Sequence, residues 1–308
     1  MSEETLLISD QAKELRRIVE RHKRENRGPI NLRTVTIISG KGGVGKSNLS
    51  LNLACALAEG GKRAVLLDAD LGLANLDMLC GVTAKYNLTH LIDGSRTLDD
   101  VLIELKRDVW ILPGGSGLKE LADLEQTRLM ELIDTLGFLE DRADVLLVDT
   151  GAGIHKGVLT FAEAADTVLL ITTPEPTAIR DAYGVLKALK APEGDDAAKK
   201  SIFFVVNMAG SEGEGLEVAN RLRMAASQFL GISIEYAGCV LKDHFVEQAV
   251  RFRKPFYQLY PDSPAAAGVR KLVETLFGLS ARRHTDMNPP KGLRAFFSRL
   301  TRGYFLER

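Results

Sequence analysis

Residues 40–47, Gly40-Lys41-Gly42-Gly43-Val44-Gly45-Lys46-Ser47, read as a Gly, four residues, then Gly-Lys-Ser, and they directly follow the apolar run Val35-Thr36-Ile37-Ile38-Ser39. This order predicts strand, phosphate-binding loop and helix, which commits the chain to an α/β architecture. The residue types supply what a triphosphate needs. Glycines let backbone N–H groups close on phosphate oxygens, the helix N-terminus adds its positive dipole end, Lys46 reaches the β and γ oxygens, and Ser47 can ligate Mg²⁺.

Two further apolar runs end in carboxylates. Val65-Leu66-Leu67-Asp68-Ala69-Asp70 leads into Leu71-Gly72-Leu73-Ala74-Asn75-Leu76-Asp77, and Val145-Leu146-Leu147-Val148-Asp149 leads into Thr150-Gly151-Ala152-Gly153. Asp70 therefore falls at the carboxyl end of a strand, where an open α/β sheet keeps its ligands. Asp149 takes the position that usually holds Mg²⁺ through water in phosphate-loop proteins, and Gly153 follows in a turn with N–H groups near a γ-phosphate. Strands are expected at 33–39, 63–68, 109–112, 144–149, 166–172, 201–207 and 235–241. Helices are expected at Asn48–Gly60, Leu118–Leu139, Ala178–Leu189, Gly215–Leu230, His244–Arg253 and Pro264–Leu279. Such alternation predicts a mostly parallel central sheet with helices on both faces and right-handed crossovers.

Lys41 is additional to the ordinary phosphate-loop lysine, and the whole constellation resembles the deviant Walker A loop of MinD/ParA-type ATPases, phosphate-loop NTPases of the SIMIBI class. The resemblance spans about residues 33 to 279. It implies ATP and Mg²⁺ as ligands, a homodimer formed with ATP, and Lys41 reaching the partner's nucleotide while Lys46 serves its own. It makes Asp70 the residue that orients the attacking water and a candidate near the metal with Ser47 and Asp149. Asn48 and Asn75 join the nucleotide shell, Glu175 in Thr173-Pro174-Glu175-Pro176-Thr177 approaches the partner's ribose, and Asn207 at the end of Phe203-Phe204-Val205-Val206-Asn207 reads the adenine edge.

Two appendages flank the ATPase region, giving expected divisions of 1–32, 33–280 and 281–308. Ser9 or Asp10 can cap a helix whose Ala12, Leu15, Ile18 and Val19 fall at three- and four-residue spacing. Asp10-Gln11-Ala12-Lys13-Glu14-Leu15-Arg16 resembles the Asp-Gln-Ala-x-x-Leu-Arg element of the flagellar MinD-like ATPases called FlhG, FleN or YlxH. In that family the segment stimulates the signal-recognition-type GTPase FlhF, with Gln11 completing the partner's active site. Flagellar basal-body (C-ring) proteins are the other implied partners. At the other end, Asp286-Met287-Asn288-Pro289-Pro290 breaks any helix, and Leu293, Phe296, Phe297, Leu300 and Tyr304 then fall on one stripe among Lys291, Arg294, Arg299 and Arg302. A basic amphipathic helix of this kind suits an anionic membrane surface, and equally a groove on its own domain.

Charge and cysteine usage exclude competing classes. Residues 281–308 hold seven Lys/Arg and two Asp/Glu, leaving −6 on the preceding 280 residues of a chain whose total is −1. A ParA-like DNA-partition module needs a basic face on that region, so no nucleic acid is expected. Cys55, Cys80 and Cys239 form no Cys-x-x-Cys pair, which argues against an iron–sulfur scaffold and for a reducing compartment. A MinD-type division-site ATPase shares the chemistry, but such proteins usually begin almost at the phosphate-loop strand, whereas about 32 residues precede it here. With neither an N-terminal apolar region nor a membrane-length stretch, the expected location is cytoplasmic, reversibly at the inner face of the membrane.

Overall fold

The computed structural model of the chain describes residues 32–70, 76–115, 126–190, 201–278 and 292–305, with side chains assigned through residue 301. Asp10, Gln11, Ala12, Leu15, Arg16 and Asn75, and the side chain of Tyr304, lie outside the described residues. Eight strands run β1 (Arg33–Ile38), β2 (Ala64–Ala69), β3 (Ile103–Lys106), β4 (Val109–Pro113), β5 (Val145–Thr150), β6 (Thr167–Thr172), β7 (Ser201–Ala209) and β8 (Glu235–Leu241). They form one sheet in the order β3-β4-β2-β5-β1-β6-β7-β8. Every pairing is parallel except β3 with β4, which is antiparallel at the edge. The sequence order reverses direction beside β1, which is where an open α/β sheet leaves a crevice for a ligand.

The longer helices are α1 (Lys46–Glu59), α2 (Gln126–Leu136), α3 (Lys156–Ala164), α4 (Pro176–Leu189), α5 (Glu212–Ala225), α6 (His244–Arg251), α7 (Pro264–Phe277) and α8 (Gly292–Phe305). β2, β5 and β6 are buried at every residue, so their near-continuous Val, Leu and Ile runs serve both faces of the sheet. On one face Leu49, Leu53 and Leu57 of α1 and Val269, Leu272 and Leu276 of α7 pack over Ile37, Leu66, Leu147 and Leu169. The opposite face is covered in two patches. Phe161 of α3 and Leu132 and Leu136 of α2 lie over Val65, Leu67, Leu146 and Val148, while α4 and α5 lie over Leu170, Phe204 and Val206.

All seven expected strands are present. The expectation missed β3, the helix α3 and several single-turn helices. The helix expected at Leu118–Leu139 ends at Leu136, where Gly137 turns the chain into a short helix at Leu139–Arg142. The one expected at Gly215–Leu230 starts earlier, because Ser211 accepts the Glu214 N–H as an N-cap, and its last five residues, Ala226–Leu230, widen into a π-helix.

The C-terminal stripe is the main structural addition to the sequence reading. Leu293, Phe296, Phe297 and Leu300 of α8 are all at most 2% exposed, packed with Leu132, Leu136, Leu139 and Phe161. Phe296 stacks on Phe161 with ring centroids 6.4 Å apart. Polar contacts hold the helix at its first turn and its middle: Glu140 Oε1 accepts the Leu293 N–H at 2.7 Å, Arg294 pairs with Asp134, and Arg299 reaches Asp166 at 3.4 Å. Asp166, buried, also accepts from the Thr34 N–H at 3.0 Å and its hydroxyl at 2.9 Å, at the start of β1. In this conformation the apolar stripe completes the domain's own core. No helix among the described residues is long and apolar enough to cross a membrane.

Candidate functional site

The phosphate loop joins β1 to α1 at the centre of the sheet. Gly45, φ 84°, opens α1 in the left-handed region and gives it no side-chain cap, so the helix's first N–H groups are left for a ligand. A Cβ at Gly40 would lie 2.4 Å from the Asp181 carbonyl, because α4 crosses there, so only glycine fits. At Gly42 and Gly43 a Cβ would meet nothing within 4 Å, which leaves the outer side of the loop open as a cradle.

Lys46 is buried, with Nζ 3.4 Å from Asp149 Oδ1 and in close contact with the Thr150 carbonyl. Asp149, 1% exposed, accepts the Ser50 hydroxyl at 3.0 Å. Burial pushes its carboxyl above the ordinary range, and Lys46 and the hydroxyls of Ser47 and Ser50 oppose that rise. Asp68 pairs in register with Asp149 across β2 and β5, and burial followed by repulsion from Asp149 pushes it up to about 6. Its oxygens accept the Asp70 and Leu76 N–H groups, each at 3.3 Å. The sequence marks Asp68 as a strand-end carboxylate and assigns it no role, although Asp-x-Asp at a strand terminus carries the signal. Asp70 lies against the turn after β5, 3.3 Å from where a Gly151 Cβ would stand. Gly153, φ 98°, donates its N–H to the Ser39 carbonyl at 2.8 Å, tying that turn to the phosphate loop.

Two other expected residues are brought to the same edge. Lys41 Nζ meets Glu175 Oε2 at 2.5 Å and the Thr177 hydroxyl at 3.2 Å within the one chain, so the two residues expected to act across a dimer hold each other here. Asn207, 8% exposed, donates Nδ2 to the Val44 carbonyl at 2.8 Å and lines, with Asn48, Val240, Asp243 and Phe256, a pocket beside the loop. Backbone donors, a buried lysine, a serine hydroxyl and three strand-end carboxylates are the donor set for a nucleotide phosphate chain with a hard divalent cation. The residues present fit that group. Among the described residues no cluster of three or more His, Cys, Asp or Glu is placed to hold a metal ion by itself.

A doubly wound parallel sheet with a phosphate loop at its central strand and carboxylates on the neighbouring strand ends defines a phosphate-loop nucleotide-binding protein. Residues 35–249 match the CobQ/CobB/MinD/ParA nucleotide binding domain, and the chain belongs to that family. It is 38% identical to the antiactivator FleN of Pseudomonas aeruginosa over 79% of this chain and 85% of that one. It is 33% identical to the flagellum site-determining protein YlxH of Helicobacter pylori over 90% and 91%. Among solved structures it resembles the septum site-determining protein MinD complexed with Mg-ADP from Pyrococcus horikoshii, with a TM-score of 0.64 and 25% identity over 81% of this chain and 98% of that one. The expected resemblance to the MinD-like proteins with flagellar names therefore holds over most of the chain.

Proposed function

We propose that this chain is a Mg²⁺-dependent ATPase that dimerises with ATP, associates reversibly with membrane and regulates flagellar number and placement. The observation that carries the flagellar reading is the similarity to YlxH and FleN over 91% and 85% of their lengths, with Asp10-Gln11-Ala12 upstream of the ATPase region. Ser47, and Asp149 through water, would hold Mg²⁺, which offsets charge on the phosphate oxygens. Lys46 leaves Asp149 and Thr150 to meet the phosphates, Asp70 holds water in line for attack, and Lys41 exchanges Glu175 of its own chain for the nucleotide across the dimer.

Membrane association requires α8 to leave its groove, because Phe296 and Phe297 cannot face the core and a lipid surface together. Each cation near an anionic leaflet adds up to ~1 kcal/mol, and two helices on one dimer bind by avidity. The N-terminal segment acts on a signal-recognition-type GTPase of the FlhF kind, and Gln11 supplies both an acceptor and donors to a water beside the γ-phosphate.

Two measurements test this. Phosphate release from Mg·ATP is expected from the wild type and abolished in Asp70→Ala; equal release from both removes Asp70 from the chemistry. A peptide of residues 1–27 is expected to raise GTP turnover by the partner GTPase, and Gln11→Ala to lower that stimulation more than binding. Unchanged turnover with peptide bound defeats the activator role.

A further inference from the structure

Buried hydroxyls in this fold are partnered nearly everywhere. Thr34 bonds Asp166, Thr36 the Phe161 carbonyl, Ser50 the Lys46 carbonyl, Thr150 the Ile37 carbonyl and Thr160 the Lys156 carbonyl. Among the described residues, Thr173 Oγ1 is the buried side-chain oxygen with no partner. Thr173 is 4% exposed, so bulk solvent does not reach it. A buried hydroxyl left unmade destabilises a protein, whereas a valine of the same shape would fill that volume without penalty.

The position of this orphan is not arbitrary. Leu169 and Ile171 of β6, and Phe203 and Val205 of β7, pack on the sheet face that α1 covers. The two-residue period of a strand carries that face on to Thr173 and Asn207, and the register, Thr172 beside Val206, sets those two side by side. On the other flank β1 pairs Ile38 with Leu170, and its continuation is the phosphate loop. Extended by one residue past the end of β6, that register puts Thr173 on the sheet face beside Asn207, whose amide braces the Val44 carbonyl of the loop at 2.8 Å. Two residues on, Glu175 holds Lys41 of the loop.

We propose that Thr173 is a positioning residue for nucleotide: its hydroxyl gains its partner, a backbone group of the phosphate loop or the Asn207 carboxamide, only when the loop closes on a bound nucleotide. The inference rests on the nucleotide-binding reading of the loop. It makes the unliganded protein carry an unsatisfied hydrogen bond that binding repairs, so the hydroxyl opposes the empty state and favours the loaded one.

The test compares the full-length wild type with Thr173→Val and Thr173→Ser. It measures the thermal midpoint without ligand and the dissociation constant of a fluorescent ADP with Mg²⁺. Thr173→Val is expected to raise the unliganded midpoint by a few degrees and to weaken ADP binding about fivefold to tenfold. Thr173→Ser is expected to bind within about twofold of wild type, since it keeps the hydroxyl. ADP binding by Thr173→Val equal to wild type overturns the proposal, and so does a lowered unliganded midpoint, which shows a partner already present. If the valine variant does not fold, Thr173→Ala against Thr173→Ser gives the same comparison, and equal affinities overturn the proposal. A wild type that binds no ADP instead defeats the nucleotide reading, and this inference with it.

Discussion

At the residue scale, Asp68 carries the sharpest consequence. Its carboxyl is held at about 6 by burial and by Asp149, against 3.8 ordinarily, so the folded protein keeps a proton that the unfolded chain releases between those values. The sign follows from linkage: where the folded state binds more protons, stability falls as pH rises. The destabilisation grows from about pH 4, is complete above about pH 6, and amounts to about 2–3 kcal/mol for a two-unit shift. Asp68→Asn removes the charge and keeps an acceptor for one of the Asp70 and Leu76 N–H groups, which meet different oxygens of the carboxyl. Without nucleotide it should therefore melt several degrees above wild type at pH 7.5 and match it near pH 4. Parallel melting curves at every pH would show that Asp68 does not titrate in this range.

At the scale of elements, α8 is the piece whose environment the sequence left open. An amphipathic stripe states that one face must be covered, not what covers it. The structure places Phe296 against Phe161 and the Leu293 N–H against Glu140, so the helix is part of the fold. Phe296→Ala should cost ~3–5 kcal/mol, the range for emptying a buried aromatic site, read as a drop in denaturant midpoint without nucleotide. A loss under ~1 kcal/mol would mean that α8 spends most of its time undocked. The helix α3 is not legible in the sequence for a related reason. Gly157, Val158, Thr160 and Phe161 are middling or poor helix formers, and the packing of Phe161 and Ala162 decides the matter. The four-residue edge strand β3 was too short for its alternation to register.

For the whole molecule, the Lys41–Glu175 pair and the docked α8 engage within one chain the groups proposed above to face a second copy and a lipid surface. Lys41 and Glu175 are 39% and 63% exposed, so their pair contributes at most ~1 kcal/mol, little enough for the exchange proposed above. In gel filtration with Mg·ATP, Asp70→Ala should accumulate as a dimer, while Lys41→Ala should bind nucleotide and stay monomeric. A Lys41→Ala dimer of normal stability would remove the trans role. Sedimentation with anionic vesicles should require ATP, weaken with salt, and fail after truncation at Pro290. Equal sedimentation of the truncated protein would remove the membrane role from α8.

By itself the sequence determined the strand, loop and helix at residues 33–59, the strand-end carboxylates and the parallel sheet, because each is written in local patterns: glycine spacing, apolar runs and their period. Gly40, Lys46, Asp70 and Asp149 were legible on those grounds. Tertiary structure alone decided which distant groups meet. It set Asn207 on the Val44 carbonyl, Asp68 beside Asp149, Lys41 on Glu175, Arg299 on the Asp166 that binds Thr34, and the stripe of α8 into a groove between α2 and α3. Those contacts depend on strand order and register across the sheet. Neither is encoded in any short stretch of chain, since each is fixed only when all the elements bury their apolar faces together.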